Sequence, residues 1–174
     1  MVKYIPYPNN MKFRQLFPVA LSISFTSGIY ILIAQHFQVS ALWLPYISWT
    51  AYFLDGSNPK RLIKQILCFT GGMLIGVFTV LFLNPVISIL GPTFALPVIV
   101  FFMVLVILLL ELVKEADIVP VYFLSYSSYF AYYYGKFGGE SATPLNILPE
   151  FWLLLMIGLG LGLLTSEIRK RMIY

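Results

Sequence analysis

The sequence predicts an all-α integral membrane protein whose six transmembrane helices form two inverted three-helix repeats. Three observations lead to this fold class: charged residues are scarce, the apolar residues fall into six segments, and two segments carry nearly the same octapeptide. Hydrophobic residues make up 60% of the 174 residues, charged residues 10%, and the mean hydropathy is +0.88. Because soluble domains carry about 25% charged residues, this chain has too few to cover a surface that faces water.

Each of the six apolar segments is predicted to cross the bilayer as a helix, which takes about 20 residues and about 17 at the short end. The third segment is expected to stop at Asn84-Pro85, with residues 86–90 as a loop or a short interfacial helix. Prolines near the beginning of four segments favour helix starts there; they are Pro18, Pro92, Pro120 and Pro149. The predicted segments are residues 16–34, 40–54, 63–83, 93–113, 118–134 and 151–165.

Basic residues are distributed unevenly over the connections between these segments. In a six-span arrangement, ten of the 11 basic residues fall on one side, and Lys136 alone falls on the other. The positive-inside rule assigns the richer side to the cytoplasm, so both termini are predicted there. The net charge of +4 then reflects membrane topology, and we expect no nucleic-acid partner. The ten residues are Lys3, Lys12, Arg14, Lys60, Arg61, Lys64, Lys114, Arg169, Lys170 and Arg171.

Two octapeptides, YISWTAYF at residues 46–53 and FLSYSSYF at residues 123–130, indicate an internal duplication. Aligned without gaps, they pair Ser48 with Ser125 and Tyr52 with Tyr129. Each octapeptide is followed by a loop and a glycine-rich segment. The glycines are Gly72 and Gly76 after the first octapeptide, and Gly158 and Gly162 after the second.

A repeating unit of three helices has a consequence for orientation. Because three is odd, the second copy enters the membrane from the opposite face, which gives an inverted-topology repeat of the kind that recurs in transporters. We predict a single membrane domain over residues 1–174, with repeats at about residues 16–83 and 93–167. The alternative is chance similarity between two aromatic-rich helices.

The octapeptides also supply the candidate site. In each, the serine and the tyrosine lie one helical turn apart and share a face. Their hydroxyl groups are costly in hydrocarbon and should point inward, either along a path for a solute or into hydrogen bonds that join helices. The residues predicted to line a solute path are Ser48, Tyr52, Ser125 and Tyr129.

These residues favour a small transport protein, a channel or secondary transporter, for a small polar or neutral solute. The alternative is a non-transporting structural or assembly subunit of a membrane complex. The four glycines predict close helix packing, against a neighbour in the same chain or in a second protomer of a homo-oligomer. No Asp, Glu, Lys, Arg or His lies in the middle third of any segment, which argues against a proton pump.

Other functional classes find little support in the sequence. No catalytic motif is present, so we expect no enzyme, and a single cysteine permits neither a disulfide within the chain nor a zinc site. No metal or cofactor is expected. His36, in the predicted outer loop after the first segment, is a candidate external pH sensor, although a lone loop histidine more often has no such role.

Two stretches, TAYFLDGSNPKRLIKQ and VPVYFLSYSSYFA, resemble a bacterial inner-membrane family, the domain of unknown function 1097. The resemblance covers most of the chain and implies a location in the bacterial inner membrane, but no activity that could be carried over. The first half, LPYISWTAYF…NPKRLIKQILCFTGGMLIG, also resembles the membrane units of fusaric-acid and aromatic-acid exporters. The large soluble domain of those exporters has no counterpart in this sequence.

Overall fold

The computed structural model describes residues 13–173, which form six α-helices and, within that range, no strand. The helices are α1 (Phe13–His36), α2 (Leu44–Leu54), α3 (Leu62–Leu90), α4 (Pro92–Leu109), α5 (Val119–Tyr134) and α6 (Leu148–Ile173). Short 3-10 turns cover Pro59–Arg61 and Leu110–Leu112. The predicted all-α class is confirmed. Lys3 and Lys12, which entered the charge argument, lie outside the described residues.

Four of the described helices are long and apolar enough to cross a membrane, judged by length and composition. These segments are Leu16–His36, Pro59–Leu90, Pro92–Leu112 and Leu148–Met172. Helix α2 has 11 residues and α5 has 16, so at 1.5 Å per residue they are about 16 and 24 Å long. The hydrocarbon layer is about 30 Å thick. Several helices that could span a membrane are thus confirmed, and exactly six crossings stay a prediction.

The predicted stop at Asn84-Pro85 is wrong, because α3 continues through Pro85 to Leu90. Residues 86–90 therefore belong to α3 and form no separate interfacial helix. A proline costs a helix one backbone hydrogen bond, which membrane helices tolerate when their neighbours adjust. Helix α3 ends instead at Leu90. Gly91 follows with a φ of +77°, which suits glycine, and Pro92 begins α4.

Two predictions at α1 are also wrong. Pro18 lies inside α1 instead of marking its start, because the preceding residues from Phe13 already form helix. His36 is the last residue of α1 and not a loop residue, and its exposed ring meets the Phe37 ring edge-on at 5.3 Å between centroids. Of the prolines predicted to start helices, Pro92, Pro120 and Pro149 lie at the beginning of α4, α5 and α6.

The chain divides into two compact units. Unit 1 comprises residues up to Pro59 and from Met156 onward, and so holds α1, α2 and most of α6. Unit 2 is Lys60–Leu155, with α3, α4, α5 and the first residues of α6. Each unit therefore combines helices from both predicted repeats. The description of the chain as one membrane domain of two repeats stays a prediction.

Candidate functional site

Within unit 1, helix α2 packs closely on α6. We call this contact the α2–α6 junction, formed by Ser48, Trp49 and Tyr52 on α2 and by Gly158, Gly162 and Thr165 on α6. A methyl group added at Gly158 would collide with the Pro45 carbonyl oxygen and the Ser48 hydroxyl. One added at Gly162 would lie 3.0 Å from Cβ and Cδ1 of Tyr52. The two glycines thus let the helices approach closely.

Within unit 2, helix α5 packs on α3 in the same way. The α3–α5 junction consists of Ser125, Tyr126 and Tyr129 on α5 and of Gly72, Gly76 and Thr79 on α3. A methyl group at Gly72 would lie 2.5 Å from the Tyr122 carbonyl oxygen and 2.8 Å from Cβ of Ser125. One at Gly76 would lie 2.7 Å from Cδ1 of Tyr129. Neither site has room for a side chain.

A cross-helix hydrogen bond occupies the same position in both junctions. In unit 1, Nε1 of Trp49 donates to Oγ1 of Thr165 at 3.0 Å. In unit 2, the Tyr126 hydroxyl lies 3.1 Å from Oγ1 of Thr79. Each threonine hydroxyl also donates to the backbone carbonyl four residues earlier, so the aromatic side chain is the donor in both cross-helix bonds. Each threonine lies three residues after the second glycine of its helix.

Both junctions are contacts between parallel helices. Along α3 and α5, Gly72 meets Ser125 and Gly76 meets Tyr129. Along α6 and α2, Gly158 meets Ser48 and Gly162 meets Tyr52 in the same order. The octapeptide alignment thus pairs residues that make the same contacts, and all four predicted packing glycines lie against helices of their own chain.

The four residues predicted to line a solute path are fully buried. Three of their hydroxyls donate to backbone carbonyls: Ser48 to Pro45 at 3.2 Å, Ser125 to Phe69 at 2.6 Å and Tyr129 to Pro144 at 2.7 Å. The Tyr52 hydroxyl is buried without a hydrogen-bond partner among the described residues. The Ser48 hydroxyl thus bonds within its own helix, those of Ser125 and Tyr129 join α5 to other elements of the chain, and contact of the four residues with a solute stays a prediction.

A cavity of about 400 Å³ opens between α1 and α2 in unit 1. We call it the hydroxyl cavity. Ser24 and Ser27 line it from near the middle of α1, the depth of the bilayer centre for a helix that spans the membrane. The lining residues are Ile23, Ser24, Ser27, Tyr46, Trp49, Thr50 and Phe53.

Hydroxyl groups in this cavity differ from those elsewhere on α1. Ser22 and Thr26 donate to carbonyls of their own helix at 2.8 and 2.9 Å, as is common for such residues in helices. By contrast, Ser24 and Thr50 have no hydrogen-bond partner among the described residues. Ser27 is 2.5 Å from the Tyr46 hydroxyl. The cavity is therefore lined by two hydroxyls without a partner among the described residues, those of Ser24 and Thr50, which we call the open hydroxyls. It is also lined by the hydrogen-bonded hydroxyl pair of Ser27 and Tyr46.

The residues on the α1 side of the cavity are not among those that the octapeptides predict. The available signal was the run of hydroxyl residues between 22 and 27 in an otherwise apolar helix, with Ser24 and Ser27 three apart and so on one face. On α2, Tyr46, Trp49, Thr50 and Phe53 share the face that lines the cavity, whereas Ser48 and Tyr52 face α6.

An ion pair joins the beginning of α3 to the connection before α5 in unit 2. Nζ of Lys64 lies 2.8 Å from Oδ1 of Asp117. The hydrogen bond from Lys64, and its positive charge, hold the pKa of the Asp117 carboxyl below its ordinary value of 3.8. The two segments therefore lie at the same end of unit 2, as the parallel packing of α3 and α5 requires.

Comparison with known proteins gives a family. The family model described as Protein of unknown function (DUF1097) matches residues 20–170, which is most of the chain. The chain therefore belongs to this family, and the predicted resemblance is confirmed. No curated protein and no solved structure matches the chain, and the resemblance to exporter membrane units receives no support from these comparisons.

Proposed function

We propose that this member of the DUF1097 family is a small membrane transport protein, a channel or secondary transporter, for a small polar or neutral solute. The observation that carries the proposal is the hydroxyl cavity, where the Ser24 and Thr50 hydroxyls have no partner among the described residues. An unsatisfied polar group in hydrocarbon costs several kcal/mol, so water or a solute is needed there. Substrate sites of secondary transporters lie near the bilayer midplane, the depth of Ser24 in α1.

The two matched junctions support an inverted duplication. The same glycines, hydroxyls and threonine recur at the same positions on two helix pairs. In six crossings, α3 and α5 traverse the membrane in one direction, and α2 and α6 traverse it in the other, which agrees with the parallel packing in each junction. Inverted repeats are the usual framework for alternating access. Chance similarity of the octapeptides would not by itself explain why the glycines and threonines on α3 and α6 make the same contacts with α5 and α2.

The distribution of basic residues supports an orientation of the helices relative to the cytoplasm. The Lys64–Asp117 pair brings together two connections that also carry Lys60, Arg61 and Lys114. The positive-inside rule places this end in the cytoplasm, and with six crossings both termini lie there too. We propose the bacterial inner membrane as the location, in line with the family resemblance. A homo-oligomer stays a prediction.

The alternative of a non-transporting assembly subunit needs the four packing glycines to face a partner. All four instead face α2 or α5 of the same chain. Such a subunit would have to bind through the apolar outer faces of helices such as α4, which also suit lipid. The geometry therefore favours transport over assembly.

A flux assay on protein reconstituted in liposomes tests the proposal. We expect a small neutral solute from a graded panel to cross about tenfold faster than in empty liposomes. Thr50→Val, which removes an open hydroxyl at constant shape, should abolish most of the gain. The matched control is Ser127→Val, because Ser127 is the aligned, exposed residue on α5. If no solute class crosses faster than in empty liposomes, the transport proposal is wrong.

A further inference from the structure

We infer that the hydroxyl cavity binds a neutral ligand that carries a flat ring and at least one hydrogen-bonding group. This inference rests on the proposed function, whose solute it assigns to a chemical class. Three features of the cavity carry it: the aromatic wall on α2, the open hydroxyls on both helices, and the lack of charge among the lining residues.

The wall on α2 consists of aromatic rings that pack on one another. The rings of Tyr46 and Trp49 are stacked, with 5.7 Å between centroids and 13° between planes, and Phe53 follows one turn later at 6.5 Å from Trp49. The Tyr30 ring meets Tyr46 edge-on at 5.6 Å. The Trp49 indole is 4% exposed and its N–H donates to Thr165, so the ring surface that faces the cavity comes mainly from the half-buried Tyr46 and Phe53. A flat ring fits such a wall by stacking or edge contact.

The polar groups of the cavity suit a ligand with its own donor or acceptor. A hydroxyl can donate one hydrogen bond and accept others. The open hydroxyls of Ser24 and Thr50 come from the two facing helices, so a ligand between α1 and α2 could reach both. A purely apolar ligand would leave both hydroxyls unsatisfied, which costs about 1–3 kcal/mol each when they are buried.

Charge decides between a neutral and an ionised ligand. All seven lining residues are uncharged, so an ionised ligand would have no counter-ion. Removing an ion from water costs several kcal/mol, whereas a cation above an aromatic ring gains about 0.5–2 kcal/mol. The rings therefore cannot compensate a cation, and they offer nothing to an anion. The volume of about 400 Å³ lies at the small end of the range for ligand pockets, roughly 300–1,000 Å³.

Binding of two matched probes to the full-length protein in detergent tests this inference. The probes are 4-hydroxybenzamide, which is neutral, and 4-hydroxybenzoate, which replaces the amide by a carboxylate on the same ring. We expect the amide to bind at least tenfold more tightly in equilibrium dialysis. Thr50→Val should weaken its binding about fivefold or more, and Ser127→Val should leave it unchanged. Unchanged melting temperatures for both variants show that folding is intact, and Ser24→Ala provides a second variant.

Several results would overturn the inference. These are equal or tighter binding of the carboxylate, no effect of either Thr50→Val or Ser24→Ala, tighter binding of the ring-free polyol glycerol, and no binding of the amide at all. Failure of the proposed transport function can be told apart from failure of this inference, because equilibrium dialysis measures binding and does not depend on transport. Binding of the amide without flux of any solute contradicts transport alone, whereas flux of other solutes without binding of the amide contradicts the ligand class alone.

Discussion

The α2–α6 and α3–α5 junctions share their packing but differ at one hydroxyl. Tyr52 and Tyr129 occupy equivalent positions against Gly162 and Gly76. The Tyr129 hydroxyl donates to the Pro144 carbonyl in the connection between α5 and α6, whereas the Tyr52 hydroxyl is buried without a partner among the described residues. The close packing of the helices therefore follows from their small residues. Whether the tyrosine hydroxyl finds an acceptor depends on the connection that follows the tyrosine's helix.

The helices that precede the octapeptides differ more strongly. Helix α1, before α2, carries four hydroxyl residues between 22 and 27, while α4, before α5, has Thr93 as its single hydroxyl residue. Thr50 and its counterpart Ser127 are both exposed on their helices, yet Thr50 faces further hydroxyls across the cavity. The two junctions are thus alike while the helices before the octapeptides differ, and the hydroxyl cavity lies on the α1 side.

The largest effect is expected from filling the space at the first glycine of each junction. Gly158→Ala and Gly72→Ala place a methyl group against backbone carbonyls, which cannot move aside as a flexible side chain can. Overpacking of this kind costs about 1–3 kcal/mol, measurable as a lower melting temperature in detergent. Gly160→Ala is the matched control on α6, since nothing lies within 4 Å of its added methyl group. Equal losses for Gly158→Ala and Gly160→Ala would contradict the packing of α2 on α6.

Replacing the two equivalent tyrosines sharpens the comparison. Tyr129→Phe removes the hydrogen bond to Pro144 and leaves a carbonyl without its donor, so we expect a loss of about 1 kcal/mol. Tyr52→Phe removes a buried hydroxyl that has no partner, so stability should be unchanged or slightly higher. Thermal unfolding of both variants measures the difference. A larger loss for Tyr52→Phe than for Tyr129→Phe would mean that the Tyr52 hydroxyl is bound.

The cross-helix bonds should contribute similarly in the two junctions. Thr165→Val and Thr79→Val remove the acceptors of Trp49 and Tyr126. Hydrogen bonds between membrane helices average about 0.6 kcal/mol, and we expect a loss of that size for each variant. Double-mutant cycles with Trp49→Phe and Tyr126→Phe isolate the two pairwise energies. Coupling in one junction and none in the other would break their equivalence.

The smallest effect is expected at the Lys64–Asp117 pair of unit 2. Both side chains are partly exposed, so the pair contributes about 0.2–1 kcal/mol. Because folding lowers the pKa of Asp117, this contribution is fully present above about pH 4, the ordinary range of the carboxyl pKa. It is lost as the pH falls through the lowered value.

Melting temperatures at two pH values check this sign. Asp117→Asn should be less stable than the wild-type protein at pH 6, and the difference should shrink near pH 3. A difference that grows on acidification would contradict the ion pair.

Much of the fold follows from composition and spacing. The scarcity of charge and the six apolar segments predict the helices, and the pattern of small residues in GGMLIG and IGLGLG indicates close packing at Gly72, Gly76, Gly158 and Gly162. The helix that packs against each glycine pair could not be predicted from the sequence, because α3 and α6 are apolar around most of their surface. Only the folded chain pairs α3 with α5 and α2 with α6.

The candidate site was less accessible from the sequence. The octapeptides predict Ser48 and Tyr52 as site residues, although the cavity side of the same helix carries Tyr46, Trp49 and Thr50. Periodicity identifies residues that share a face, but it does not tell which polar face meets another helix and which stays open. Ser24 shows the same difficulty, since Ser22 and Thr26 beside it are satisfied by their own helix.

The sidedness of two connections tests the inverted duplication most directly. In a Cys68→Ala background, which removes the single native cysteine, Lys60→Cys follows α2 and Ser141→Cys follows α5. Both positions are exposed, and a membrane-impermeant maleimide can label them in intact cells or in inverted vesicles. The inverted duplication predicts that Ser141→Cys is labelled in intact cells and Lys60→Cys only in inverted vesicles. Labelling of both positions from the same side would contradict it.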